Sequence, residues 1–412
     1  MSSIRAARRS YARMSGDTGR SRVGEGCAQR AFEALKSRPS LGVGSVASSA
    51  PAVAAPAELA AENFRLQVSD YNPVIADLDA VLSKASVAAV VDSANRKGAS
   101  CSPHPNAVAA FCWQSGDEST TEWYPQGITT SADASPDGQY HVKTVVLISW
   151  YYSGSGDNKG VRVSFVDDAN PSAPPYRHVL LVEPYKDAAG NPNFRAVPVH
   201  AGGIFWYGYY LYVADTWGGF RVFDTRHIWK VSTGDKSKIG RQPDGSYHAH
   251  DYAYALAQAI KFAASTIGGY PDLRYSAVSL DRTSSPQSVI VPEYDADGTG
   301  TRVVRYPIDE STLLLKPSAD GYVHGNEAYR VDIPSMQGAA AIAETFHVSS
   351  SRGKSTQGSV YTFTKTSGPT EHTRALPRGP ENLSYWPSKD QLWTLAEHPG
   401  NRSVLAIKAS SF

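Results

Sequence analysis

Side chains suited to acid–base chemistry stand where short apolar segments of this chain begin or turn. Three of them, His200, Asp215 and Glu381, are the candidates for catalysis, because imidazoles and carboxylates exchange protons near neutral pH when their surroundings shift their pKa values. Eight others carry groups suited to holding a ligand: Gln126, Tyr151, Trp217, Glu293, Gln337, Arg352, Asn382 and Glu397. If the fold gathers these positions, they predict a site for a small polar molecule.

Each candidate also has a structural interpretation. Gln126 and Gln337 could satisfy backbone groups in a channel. His200 precedes Ala-Gly-Gly, where the backbone turns, and Asp215 in ADTWGG could form an Asx turn. Glu397 before His-Pro-Gly could supply turn polarity.

Signals for a metal are sparse. SYHAHDY places His248, His250 and Asp251 close together, and two histidines at i and i+2 of a strand share a face. DADGTG lacks the later Glu of an EF-hand loop. HExxH, GxSxG, Walker and GxGxxG motifs are all missing. We predict no protein metal site from these motifs, although Ca²⁺ in a central channel stays open as a cofactor.

A repeat from about residue 109 onward predicts the elements that position these side chains. Its copies span residues 124–168, 200–225, 275–309, 336–364 and 381–409, each with three strand patterns and a fourth strand candidate nearby. Four strands repeated about five times predict an all-β fold, a β-propeller of five blades. A sixth blade hidden in 226–274 and a β-sandwich are the alternatives.

Propeller geometry predicts how the ring closes and where a site forms. The copy at 381–409 lacks an outer strand, and the segment AFCW at 110–113 could supply it. The start of each inner strand and the turn between the second and third strands point to one face. That face should therefore gather the candidate residues.

The chain divides into three predicted regions. Residues 1–61 form a basic leader followed by small apolar residues, which indicate an export signal or a disordered linker. Residues 62–108 form an N-terminal helical extension, because Val74, Ile75, Leu78, Val81 and Leu82 recur at helical spacing. Residues 109–412 form the propeller.

Charge and cysteines narrow the function classes. The net charge is +1, which gives no sign of nucleic-acid binding, and no apolar run is long enough to cross a bilayer. Cys101 and Cys112 predict a disulfide of an exported protein, or else two unrelated thiols. We expect a secreted monomer.

The segments ADTWGGFRVFD and SSSRG…GSVYTF resemble bacterial secreted β-propellers of the broad lactonase and sugar-active kind. The resemblance covers about residues 110–412. The resemblance implies the propeller architecture. If the chain is an enzyme, it also implies that acidic residues from separate blades, or a Ca²⁺ ion in the channel, carry out catalysis. Asp215, Glu293 and Glu381 stand where such acids could act, although no family motif surrounds them.

Two functions follow from this sequence. The first is binding of a small polar, hydroxyl-rich ligand such as a glycan at the channel mouth. The alternative is a hydrolase or lyase of the glycoside or lactone and ester type, which uses funnel carboxylates or a channel metal ion.

Overall fold

The computed structural model describes residues 54–412. The predicted basic leader and export segment lie almost entirely outside the described residues. The remaining predictions can be compared with the structure element by element.

The N-terminal segment mixes strands with the two helices that the apolar spacing predicts. Its elements are β1 (Ala57–Glu58), β2 (Phe64–Val68), α1 (Val74–Val81), β3 (Lys84–Ala85), α2 (Val87–Asp92) and β4 (Arg96–Lys97). Helix α1 buries Val74, Ile75 and Leu78, whereas Val81 is exposed. A 3₁₀ turn at Ala61–Asn63 precedes β2. The short strands lengthen the propeller sheets at their edges, so this segment is more than a helical extension.

Within residues 54–412 the longer strands fall into antiparallel groups of four, which we label blades 1 to 5 for reference. The outermost strands of blades 1 and 2 also pair with each other in parallel, through Leu180 and Ala255, so these two groups belong to one sheet. The first elements of this region are β5 (Ala107–Cys112) and α3 (Ser115–Ser119). Blade 1 comprises β6 (Trp123–Thr130), β7 (Val145–Tyr152), β8 (Val161–Asp167) and β9 (Pro175–Lys186), with α4 (Ser131–Ala134) after β6 and β10 (Pro192–Ala196) beside β9.

Blades 2 and 3 carry additional short strands. Blade 2 comprises β11 (Ile204–Tyr207), β12 (Tyr210–Asp215), β13 (Gly219–Lys230) and β16 (Tyr254–Thr266), with the hairpin β14 (Ile239–Arg241) and β15 (Tyr247–Ala249) before β16. Blade 3 comprises β17 (Ser279–Asp281), β18 (Ser288–Pro292), β19 (Arg302–Asp309) and β22 (Glu327–Arg330), with β20 (Leu314–Leu315) and β21 (Tyr322–His324).

Blade 4 comprises β23 (Met336–Ile342), β24 (Thr345–Ser350), β25 (Ser359–Phe363) and β26 (Thr370–His372). Blade 5 comprises β27 (Ser384–Trp386), β28 (Gln391–Ala396) and β29 (Ser403–Lys408), with 3₁₀ turns at Pro387–Lys389 and Ala409–Ser411. Its fourth strand is β5, which pairs with β29 through Val404 and Phe111. The prediction that the segment before blade 1 closes the ring is confirmed.

Burial on both faces of the blades explains why they form a ring. Phe205 and Trp206 are neighbours in β11, so their side chains point to opposite faces, and both are completely buried. A lone sheet could cover only one of these faces. The all-β propeller fold is therefore confirmed.

Inner strands pack together closely around the axis. A Cβ atom at Gly203 of blade 2 would lie 2.2 Å from the backbone nitrogen of Val278 in blade 3, and one at Gly338 would lie 2.6 Å from that of Leu383. Serine hydroxyls also link neighbouring blades: Ser149 donates to the Ala201 carbonyl and Ser349 to the Glu381 carbonyl. These contacts fix the inner-strand starts relative to one another.

The predicted disulfide between Cys101 and Cys112 is present, with a Cα–Cα distance of 5.8 Å. It ties the closing strand β5 to the segment that precedes it. No helix in residues 54–412 has the length and apolar character that a membrane crossing requires.

Candidate functional site

Five side chains from three blades meet where the inner strands begin, and we name them the mouth cluster: Gln126, Tyr151, His200, Glu381 and Glu397. Gln126, His200 and Glu381 come from inner-strand starts. Tyr151 is the last residue but one of β7, and Glu397 directly follows β28, so both stand at or beside the turn between the second and third strands. These two sets lie far apart in the chain, and propeller topology brings them to the same end of the channel.

Glu381 contributes to the mouth cluster a carboxyl group that lacks a hydrogen bond among the described residues. Its residue is only 2% exposed, and its carboxyl group makes no hydrogen bond within the described part of the chain. Its backbone is held firmly, because its carbonyl accepts a hydrogen bond from Ser349 Oγ at 2.8 Å and its amide donates to Leu395 at 3.0 Å. A fixed, buried and unpaired carboxyl group is a prepared partner for a ligand.

Glu397 gives the mouth cluster a second carboxyl group with a different environment. Gln126 Nε2 donates to Glu397 Oε2 at 2.9 Å. Burial raises the pKa of Glu397 to about 6 despite this hydrogen bond and the nearby Arg402 charge. Burial raises the pKa of Glu381 further above its usual value, and the charge of Glu397 adds to this effect.

Tyr151 and His200 form the wall of the mouth cluster opposite these carboxyl groups. Their ring centroids lie 4.4 Å apart, and Tyr124 stacks on Tyr151 at 5.7 Å. Burial and the charge of Arg274 lower the pKa of His200 to about 4, so its imidazole is neutral at pH 7. The wall therefore offers flat apolar faces and a neutral imidazole.

Below the mouth cluster, Asn382 fills the channel axis. This residue is fully buried, and its Nδ2 donates to the carbonyls of Ile128, Ile204 and Val278 at 3.1–3.4 Å. These carbonyls belong to the inner-strand regions of three blades. The predicted ligand residue Asn382 thus holds the ring together, although its Oδ1 has no hydrogen-bond partner among the described residues.

Two further predicted residues, Trp217 and Glu293, line a cavity of about 500 Å³ between blades 2 and 3. Trp217 is 61% exposed. Arg274 lies over the rings of Trp217 and Tyr294, at 5.8 and 4.9 Å from their centroids. Since the charge of Arg274 also acts on His200, this cavity adjoins the mouth cluster.

The three remaining candidates lie neither in the mouth cluster nor in the cavity lined by Trp217 and Glu293. Asp215 Oδ2 forms an ion pair with Arg221 Nε at 3.0 Å. Arg352 is exposed and forms an ion pair with Glu371. Gln337 is partly buried at an irregularity of β23 and makes no side-chain hydrogen bond among the described residues.

The histidine motif does not form the strand arrangement on which the metal hypothesis depends. His248 ends up buried in β15, whereas His250 and Asp251 follow it with φ angles of 51° and 72°. His250 Nδ1 lies 3.0 Å from the Lys236 carbonyl. Across residues 54–412, no three His, Cys, Asp or Glu side chains are grouped so that they could hold a metal.

Calcium in the channel does not fit the described residues well. Ca²⁺ takes six to eight oxygen ligands, and the mouth cluster supplies two carboxyl groups, of which Glu397 already accepts from Gln126. We derive no chemical step that depends on a metal.

Sequence reasoning missed Arg274, Tyr294 and Tyr124. A positional signal existed, because Tyr124, His200 and Arg274 each stand two residues before the first channel residue of their blade. The repeat at 275–309 is the weakest copy, which hides the equivalence of Arg274 with His200.

Comparisons with known proteins bear on the fold alone. No protein-family profile matches the chain, and no curated protein matches it. Solved structures with similar architecture include the β-propeller domain of Cps50 (Swd1) from Myceliophteria thermophila, at 10% identity over 69% of this chain and 83% of that one, with a TM-score of 0.33. The GH43_1 enzyme from Xanthomonas citri complexed with xylose has 12% identity, coverage of 73% and 89%, and a TM-score of 0.31.

Drosophila Plexin A, in complex with Semaphorin 1b, is similar at 10% identity over 75% of this chain and 88% of that one, with a TM-score of 0.27. These likenesses are too weak to transfer an activity. The architectural part of the sequence resemblance is supported, and no family match supports its lactonase part.

Proposed function

We propose that the mouth cluster binds a small polar, hydroxyl-rich ligand such as a glycan. The observation that carries this proposal is the Glu381 carboxyl group, which is buried and has no hydrogen-bond partner in the described chain. Hydrogen bonds to a carboxyl group contribute about 1–3 kcal/mol. Ligand hydroxyl groups would supply the missing hydrogen bonds.

The rest of the cluster suits the same ligand class. Glu397 and Gln126 add acceptors and a donor, and the rings of Tyr151 and Tyr124 offer flat surfaces against which a sugar ring could pack. Polar groups that fix orientation beside aromatic walls are typical of small-molecule sites. The adjoining cavity of Trp217 and Arg274 would receive a longer ligand.

Hydrolysis or elimination is a second candidate, favoured by the raised pKa values of the two carboxyl groups. A protonated Glu381 could donate a proton to a leaving oxygen, while Glu397, with a pKa of about 6, could act as the base. Two carboxyl groups with such roles are the common apparatus of glycosidases.

Glu381→Gln tests both functions, because it keeps the shape of the side chain and removes its ionisation. Saccharide binding would be measured by calorimetry, and turnover with nitrophenyl glycosides and simple lactones. We expect affinity to fall by 10–100-fold, as the loss of about 1–3 kcal/mol implies. An enzyme would also lose at least about 100-fold in kcat.

Glu344→Gln is the matched control, since Glu344 is exposed in the turn that follows β23, at the end of this inner strand opposite its start. Binding without turnover supports the first function, and turnover that depends on Glu381 and Glu397 supports the second. A saccharide that binds equally well to wild type and Glu381→Gln would contradict both.

We also propose that the protein is exported and monomeric. The disulfide between Cys101 and Cys112 supports an oxidising compartment. Fractionation of expressing cells would test export, and light scattering would test the monomer.

A further inference from the structure

A separate cavity of about 250 Å³ lies beside blade 1 and shares no residue with the mouth cluster. Five basic side chains from three parts of the chain line it. Arg96 comes from β4, Lys159, Arg162 and Arg177 come from blade 1, and Lys236 comes from the loop before β14. This convergence of cations is independent of the proposed function.

Acidic neighbours do not neutralise these cations. Arg96 and Arg162 share one carboxylate, Asp117, at 3.1 and 2.9 Å. Among residues 54–412, Lys159 and Lys236 form no ion pair, and Arg177 donates to the Ser93 carbonyl rather than to a carboxylate. The wall contains two more carboxylates, from Glu122 and Asp251. Five cations therefore face three carboxylates, and the excess positive charge favours an anion.

Arg162 makes the cavity a built site. Its residue is 4% exposed, and its guanidinium lies 4.7 Å from the ring centroids of both Trp123 and Trp150. One end is fixed by the bond to Asp117 and by Tyr252 Oη at 3.3 Å. Its Nε is enclosed by protein and has no hydrogen-bond partner in the described chain, so Arg162 contributes its charge to the cavity rather than this donor.

We propose that this cavity binds a phosphate or sulfate group, either free or carried by a small molecule. A tetrahedral oxyanion presents several acceptor oxygens, which match the fork of an arginine and the point charges of lysines. The bound anion would be stabilised by the charge of Arg162 and would neutralise Lys159 and Lys236, which form no ion pair within the described chain. The volume leaves room for a small carrier next to the anion.

Calorimetry with inorganic phosphate and inorganic sulfate, each titrated at constant ionic strength in chloride, tests the proposal. We expect saturable binding that weakens at least tenfold in the double variant Lys159→Met/Lys236→Met. Both residues are partly or fully exposed, so the variant should fold. Lys316→Met is the matched control, because Lys316 is exposed on blade 3 and should leave binding unchanged.

The two probes separate the possible sources of the anion. Phosphate affinity that rises with pH from 5.5 to 8, with sulfate weak throughout, would assign a phosphorylated ligand. Equal or tighter sulfate binding would assign a sulfated one. Heat no larger than that of added chloride, or equal affinity in the double variant, would overturn the site. Glu381→Gln should bind both anions normally, so this result stands apart from the mouth cluster.

Discussion

Two buried carboxyl groups mark the two ends of the propeller channel, and their surroundings differ. At the mouth, Glu381 has no hydrogen-bond partner within the described residues. Beyond the Asn382 plug, Asp133 of α4 accepts from Thr129 Oγ1 at 2.6 Å and from Ser384 Oγ at 2.8 Å. Burial raises the pKa of both groups, to about 6 for Asp133.

This difference separates structure from function more clearly than the pKa values do. At the far end the protein supplies its own donors, so Asp133 belongs to the packing of α4 against the inner strands. At the mouth the donors must come from elsewhere. Both carboxyl groups have a raised pKa, whereas only that of Glu381 lacks a hydrogen bond among residues 54–412.

Asp133→Ala gives the largest expected effect on stability. It would leave the hydroxyls of Thr129 and Ser384 buried without their acceptor and would create a cavity, so we expect a loss of about 2–4 kcal/mol. Chemical denaturation would measure it. Asp157→Ala, at an exposed loop position, should stay within about 0.5 kcal/mol. Comparable loss in Glu381→Gln would erase the contrast between the two ends.

The stability of the protein should depend on pH through buried carboxyl groups at both ends of the channel. A carboxyl group whose pKa is raised by folding contributes stability below its unfolded pKa, and this contribution is lost as pH rises through the folded pKa. Asp133 and Glu397, both at about 6, should each cost roughly 2 kcal/mol between about pH 4 and 7.

Glu381→Gln should flatten this curve and should be more stable than wild type at pH 8, because it removes a charge that burial disfavours. Thermal denaturation at closely spaced pH values would measure both effects. Wild-type stability that rises through this pH range would show that the carboxyl groups are more hydrated than their burial implies.

Gln126→Met should give the smallest effect, within the mouth cluster itself. The hydrogen bond from Gln126 lowers the pKa of Glu397, so its loss should raise that pKa above about 6. Carbon-13 NMR titration would detect the change. Gln337→Met makes the same substitution on blade 4, and an equal shift there would show that Gln126 has no special contact.

Much of the fold could be predicted because it depends on local pattern and edge chemistry. Alternating apolar residues mark the strands, and the missing fourth strand of blade 5 calls for a partner, which β5 provides. The strands β3 and β4 could not be predicted, since each has two residues and exists only because an edge of blade 2 or blade 1 lies beside it.

The site was partly predictable for the same reason. Topology alone brings Tyr151 to His200 and Gln126 to Glu397. It does not decide how side chains pair, so the ion pair of Asp215 with Arg221 and the axial position of Asn382 emerge only from coordinates. The axial position of Asn382 depends on one blade having a large polar side chain where the others have glycine or alanine, at Gly127, Gly203, Ala277 and Gly338.

Ring closure by β5 has a consequence for how the chain reaches its native state. Val404 pairs with Phe111 from about 290 residues away, so the two edges of blade 5 stay unpaired until most of the chain has been synthesised. During that interval the nascent propeller has unpaired sheet edges. Such edges can pair with other chains and aggregate, and they are surfaces that chaperones bind. Completion of the ring is therefore a late, long-range step. Only after this step are the edges of blade 5 no longer available for self-association.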